Sequence, residues 1–292
     1  MRWEDQRQSG NVLDVRGSGG GFGGAGGLGI GATIILGLVG WALGIDPRIL
    51  IGGAQVVTGG RSPPTEQVAR PPADDVGRFV SAVLAQTEDV FNEVFPAQIG
   101  RRYVQPQLVL FSGTTRSACG AAQTATGPFY CPNDRRVYLD MAFFEELKRR
   151  FGAPGRYGPG SFAVAYVIAH EVGHHIQNQL GVLEQLASVR GRVDERTLNG
   201  YQVRVELQAD CYAGVWAHHA QRRFGTLERG DLEQALAAAA AVGDDNIQRR
   251  TQGVVVPDSF THGSSAQRVR WFQQGFQTGE MRACDTLRAR QL

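Results

Sequence analysis

The sequence predicts a mainly helical α+β domain preceded by one N-terminal transmembrane helix. Three observations carry that expectation: an uncharged apolar run near the start, short β-type runs in the middle, and several long helices of apolar periodicity after them. At 292 residues the chain has room for one domain of ordinary size plus an anchor or tail. Its hydrophobic fraction of 42% is that of a globular protein. A net charge of +2, with no basic run, argues against nucleic acid as a partner.

Residues 1–27 begin polar and charged and become almost pure glycine, so they read as a tail. Leu28 to Ile45 carries no charge over 18 residues. As a helix it would extend ~27 Å, close to the ~30 Å hydrocarbon core of a bilayer. Ile49–Ile51 can lengthen it, which gives a transmembrane helix over 28–51, with Trp41 suited to the interface. A signal peptide fits less well, because a long stretch precedes the apolar core and no A-x-A-like site follows closely. A buried core helix fits less well too, because its glycines would be costly in water.

The basic residues flanking this run are nearly balanced, so orientation rests on the cysteines. Cys119, Cys131, Cys211 and Cys284 all follow the apolar run, and none forms a C-x-x-C pair. Two disulfides in an oxidising compartment fit that placement, with Cys119–Cys131 closing a short loop and Cys211–Cys284 remaining; four buried thiols are the alternative. The expected arrangement is a single-pass membrane protein, with its N-terminus cytoplasmic and the rest outside the cytoplasm.

Residues 52–73, rich in Gly, Pro and small polar residues, read as a linker to a domain over 74–292. Apolar residues recur at helical spacing from Asp74 to about Val94, and Leu108–Phe111 and Val137–Leu139 read as short strands. Met141 to Phe151 reads as a charged amphipathic helix stopped by Gly152 and Pro154. Phe162 to Leu180 is a strongly apolar helix with Gly181 as its C-cap. Tyr201–Phe224, Asp231–Arg249 and Ser264–Phe276 supply three more.

The chemistry is concentrated in His170-Glu171-Val172-Gly173-His174. Histidines four apart on a helix differ by ~40° around its axis, so both imidazoles leave one face and can share a zinc ion. Glu171 is placed to take a proton from the attacking water. Two histidines and a glutamate in so apolar a helix would be expensive without partners, and a metal supplies one. Further along, Glu206 and Asp210 are also four apart on an apolar helix. A catalytic zinc needs a third protein ligand and an open position, and Glu206 fits as that ligand. Asp210, one turn on, can accept the N–H of a ligating imidazole and fix its tautomer. His262 stands before the last helix as a donor for an oxyanion, with Arg268 able to pin that loop or orient a carboxylate, and Ser264 or Ser265 able to cap the helix. His175 is rotated ~100° off the metal face. His218 and His219 lie near a helix end, and Asp244 and Asp245 read as solvated helix-end charges.

With these residues in hand, the chain resembles the bacterial neutral zinc metallopeptidase family of YpfJ-like proteins. The similarity includes the MRW start with NVLDVRG, the block at 119–140, HEVGHHIQNQLG at 170–181, ELQADCYAGVWA at 206–217 and DSFTHGSSAQRVRWF at 258–272. The resemblance implies a zincin-like, gluzincin-type peptidase domain with zinc ligands His170, His174 and Glu206 and catalytic Glu171. The segment from His262 to Arg268 also resembles an element of membrane-bound gluzincins that cleave prenylated proteins, departing from it at Gly263 where proline is usual. The expected partners are a peptide or protein substrate and the membrane. A zinc-binding envelope scaffold without catalytic activity is the rival reading, and Glu171 speaks against it, because a structural site has no use for a carboxylate there.

Overall fold

The computed structural model describes residues 1–16, 72–123, 127–145 and 158–292. The apolar run at 28–51 and most of the 52–73 stretch lie outside the described residues, as does the end of the expected 141–151 helix, of which 142–145 are helical. No helix among the described residues is long and apolar enough to cross a membrane. What is described is mainly helical α+β.

A four-stranded sheet forms one wall. Its strands are β1 (Val12–Asp14), β2 (Gln107–Leu110), β5 (Phe129–Cys131) and β6 (Arg136–Leu139), in the order β1-β2-β6-β5. The pairs β1–β2 and β2–β6 are parallel, and β5 runs antiparallel at the edge. Strand side chains alternate between faces. Leu108, Leu110, Val137 and Leu139 therefore enter the main core under the helices. Val109, Phe111 and Tyr138 enter a smaller core on the other face. A hairpin of β3 (Thr114–Ser117) and β4 (Gly120–Gln123) lies beyond, joined to β5 by the Cys119–Cys131 disulfide.

The helices are α1 (Asp75–Ile99), α2 (Phe162–Leu180), α3 (Val182–Val189), α4 (Glu195–Phe224), α5 (Asp231–Ala241), α6 (Asp244–Thr251) and α7 (Ser265–Thr278). The ends of α2 follow the expectation, with Gly181 left-handed at φ 80° as its C-cap. Ser264 caps α7 in a reciprocal capping box with Gln267. Helices α4 and α7 approach closely: a Cβ on Gly275 would stand 1.9 Å from the Cys211 carbonyl oxygen, and one on Gly214 2.1 Å from that of Phe272. The Cys211–Cys284 disulfide links α4 to the 3-10 turn after α7.

Three expectations need correction. The single helix over Asp231–Arg249 is two helices, broken at Val242 and Gly243, because Gly243 passes so close to Ser265 that a Cβ there would meet the Ser265 backbone nitrogen at 2.4 Å. Asp244 is buried, not a solvated helix-end charge. The third correction concerns the boundary. Residues 1–16 are not a tail outside the domain: Trp3 packs edge-on against Phe79 at 5.5 Å, and β1 joins the sheet in the register Val12↔Leu108. The carboxylate of Glu88, 1% exposed, accepts hydrogen bonds from this segment, from Arg7 at 2.8 Å, Ser9 at 2.5 Å and Asn11 at 2.7 Å. Arg16 then pairs with Asp74 at the start of α1, 2.8 Å away. Strand and domain must lie on one side of any membrane for these contacts to form. A single crossing between them, with the N-terminus inside and the domain outside, does not accommodate this sheet.

Candidate metal centre

Helix α2 is buried on nearly every side along Phe162–Ala169, which fixes it as the central helix and leaves its polar residues to find partners inside. His170 and His174 leave one face, their rings 4.8 Å apart and nearly perpendicular. Between them Gly173 lets α4 approach, since a Cβ there would come within 2.9 Å of Ala209 Cα. That contact brings Glu206 opposite the histidines. Its carboxylate oxygens lie 3.2 Å from His170 Nε2 and 3.5 Å from His174 Nε2. One donor atom from each of the three residues falls within 4.8 Å of the other two. Among the described residues this is the only such cluster of His, Cys, Asp and Glu side chains.

The imidazoles are oriented from behind. His170 Nδ1 meets Asp210 Oδ1 at 2.8 Å, and His174 Nδ1 meets Gln177 Oε1 at 2.8 Å. With both Nδ1 positions engaged, it is Nε2 of each ring that faces Glu206. Two imidazole nitrogens and a carboxylate form a donor set that suits zinc. Asp210 is fully buried and is held by Arg268 through two hydrogen bonds, Nε to Oδ2 at 2.8 Å and Nη2 to Oδ1 at 2.9 Å. Tyr166 donates its hydroxyl to the same Oδ1 at 2.5 Å.

The titrations follow from this packing. Burial pushes the His170 pKa down, and the Asp210 carboxylate more than reverses it, to about 10. Burial also raises Asp210, but Arg268 and His170 outweigh it and bring it to about 2. Glu206 is likewise raised by burial and then lowered well below the carboxylate range by His174, His170 and His262. Glu171, buried beside the ligands, goes the other way: desolvation raises its pKa against the pull of His174 and His170. A carboxylate so raised is a better proton acceptor than an ordinary surface glutamate.

His262 sits in a loop organised by Asp244. Asp244 Oδ2 accepts backbone N–H groups from Thr261 at 2.8 Å, His262 at 2.6 Å and Gly263 at 3.0 Å. Its other oxygen lies 3.3 Å from His262 Nδ1. Burial lowers the His262 pKa and Asp244 more than offsets this, so the net shift is upward. Nδ1 of His262 is met by the Thr261 hydroxyl, at 2.9 Å, as well as by Asp244.

The other histidines are placed elsewhere. His175 is buried between Tyr130, whose hydroxyl lies 2.9 Å from Nδ1, and the Val104 carbonyl, 2.6 Å from Nε2. His218 and His219 meet the carbonyls of Phe276 and Gly279 at the end of α7. The sequence reading did not single out Tyr166 and Gln177, and it gave Asp244 no role at the site. Tyr166 and Gln177 each lie one helical step from a ligand, at i−4 and i+3, which is the signal that could have marked them. Asp244 carried no local signal.

A helix presenting two histidines and a buried glutamate, completed by a glutamate from a crossing helix, defines the class of metallopeptidase-type zinc centres. Comparison with known proteins makes the assignment specific. Residues 1–287 match the family described as "Putative neutral zinc metallopeptidase", and the chain belongs to that family. It is 45% identical over 293 residues to the "Uncharacterized protein YpfJ" of Escherichia coli K12, covering 98% of both chains. It is also 45% identical over 227 residues to the "Uncharacterized protein Rv2575" of Mycobacterium tuberculosis, covering 75% of this chain and 74% of that one. No solved structure matches.

Proposed function

We propose that the chain is a zinc-dependent peptidase of the gluzincin type that hydrolyses peptide bonds in a peptide or protein substrate. The observation that carries this reading is the convergence of His170, His174 and Glu206 with Glu171 buried beside them. Zinc held by those three residues would supply Lewis acidity toward a carbonyl oxygen and toward water. Glu171 takes the proton of the attacking water and returns it to the leaving amine. His262, steadied at Nδ1 by Asp244, is the donor to the oxyanion. Asp210 and Arg268 do no proton chemistry of their own; they hold His170 in place.

The two disulfides support a working place outside the cytoplasm. Membrane attachment through 28–51 is compatible with the sheet only if residues 1–16 stay on the domain's side. Two preparations of the full chain test the peptidase reading. Glu171→Gln should retain about one zinc per chain and lose hydrolysis of an unstructured protein substrate by at least about a hundredfold. Glu206→Ala should lose the zinc. Full hydrolysis by the Glu171→Gln variant would refute the mechanism.

A further inference from the structure

Gln177 is fully buried on α2, one turn after His174, and nothing in the peptidase chemistry calls for an amide there. Its hydrogen bonds explain it. One side of the amide faces His174 Nδ1 at 2.8 Å. The other faces the Val205 carbonyl at 2.6 Å and Gln208 Oε1 at 3.1 Å. A backbone carbonyl can only accept, so the NH2 group of Gln177 must be the end at Val205. Its oxygen is then forced toward His174, and Nδ1 of that ring must be the nitrogen that carries the hydrogen. This leaves Nε2 as the lone pair facing Glu206. Gln208 completes the arrangement by accepting from Gln177 and donating to the Cys284 carbonyl at 2.9 Å.

We infer that Gln177 is a positioning residue that selects the metal-binding tautomer of His174, with Gln208 as its anchor. The inference rests on the metal site proposed above. The two histidines are thus set by different chemistry, His170 by an anion that is itself paired to Arg268 and His174 by a neutral amide pinned to backbone. Val205 and Gln208 flank Glu206 on one turn of α4, so the amide that orients the second ligand is tied to the turn that supplies the third. A polar group oriented in this way usually governs metal affinity about 10- to 100-fold.

The test is the zinc Kd of the full-length protein, by competition with a chromophoric chelator. Gln177→Met should weaken zinc by about 10- to 100-fold. Gln177→Glu keeps an acceptor at His174 but sets a carboxylate against two acceptors. It should therefore recover most of the zinc affinity lost in Gln177→Met while melting lower than wild type without metal. Gln208→Met should weaken zinc by a smaller factor. In the zinc-loaded wild type, imidazole 15N spectra should show the hydrogen of His174 on Nδ1. A Gln177→Met protein that melts lower but binds zinc as wild type does would overturn the inference and leave Gln177 a packing residue. So would metal found on His174 Nδ1, a readout that needs no variant to fold. Failure of wild type itself to bind zinc would instead overturn the metal site, and this inference with it.

Discussion

Asp210→Asn is the substitution whose outcome the geometry specifies most fully. Four donors converge on this carboxylate: Tyr166 hydroxyl, His170 Nδ1 and Arg268 Nη2 on Oδ1, and Arg268 Nε on Oδ2. Three of these donors crowd Oδ1 and one meets Oδ2, a load that only an ionised, acceptor-only carboxylate carries. Asparagine has the same shape but presents an NH2 in place of one oxygen. If its oxygen stays with Tyr166 and His170, the NH2 points at Arg268 Nε, donor against donor. If it turns over, it points at three donors. Either way the buried guanidinium of Arg268, 5% exposed, loses its counter-charge. Removing one partner of a buried ion pair costs about 3–5 kcal/mol, a large share of the ~5–15 kcal/mol that holds a domain together. The Nδ1 hydrogen of His170 either loses its acceptor or keeps only a neutral amide oxygen in place of a carboxylate, so zinc affinity should fall about 10- to 100-fold. Urea unfolding of the metal-free protein measures the first effect and chelator competition the second. A variant within about 1 kcal/mol of wild type, binding zinc equally well, would refute the account of this cluster.

Two further outcomes follow from features outside the metal site. Gly275→Ala should destabilise by about 3 kcal/mol or more, because the new Cβ would sit 1.9 Å from the Cys211 carbonyl and must push α4 and α7 apart. Gly10→Ala, with nothing within 4 Å of the added atom, is the matched control that should melt as wild type does. For pH, burial holds the His175 pKa down at about 4 against an ordinary 6.5. Between those values the unfolded chain binds a proton that the folded one does not, so stability is lost as pH falls through that window, by up to about 3 kcal/mol. Urea midpoints of wild type and His175→Gln, compared at pH values above and below the window, isolate that contribution. A wild-type loss on acidification no larger than the variant's would refute it.

The helices that carry the site were legible because each satisfies two requirements at once. Phe162–Leu180 is apolar on all sides yet interrupted by His170, Glu171 and His174, and α4 repeats the pattern with Glu206 and Asp210. Periodicity placed both carboxylates on one face, and the structure puts Glu206 against the histidines and Asp210 behind them. The cysteine spacing pointed to the two bridges that are present. What could not be read depends on contacts distant in sequence. The hairpin β3–β4, of sequence TTRS and GAAQ, has no strong alternation and stands on packing against Tyr138 and the Cys119–Cys131 bridge. Asp244 looked like a helix-end charge because nothing local shows that a loop seventeen to nineteen residues on will turn its backbone N–H groups toward it. Strand β1 was read as tail because three residues among polar neighbours give no strand signal until β2 is beside them.

That strand has a thermodynamic character of its own. Between Arg16 and Pro72 the covalent path is long, yet its ends meet at the Arg16–Asp74 pair. The contacts of residues 1–16 with β2, Glu88 and Phe79 hold this segment in place. Residues 1–16 are thus a ligand bound to its own receptor, with an effective concentration set by the connection and not by the cell. Such a ligand can be displaced by an identical one. Two chains held close together could exchange their first sixteen residues and satisfy every contact of the sheet, becoming a pair with no new interface beyond the crossing connections.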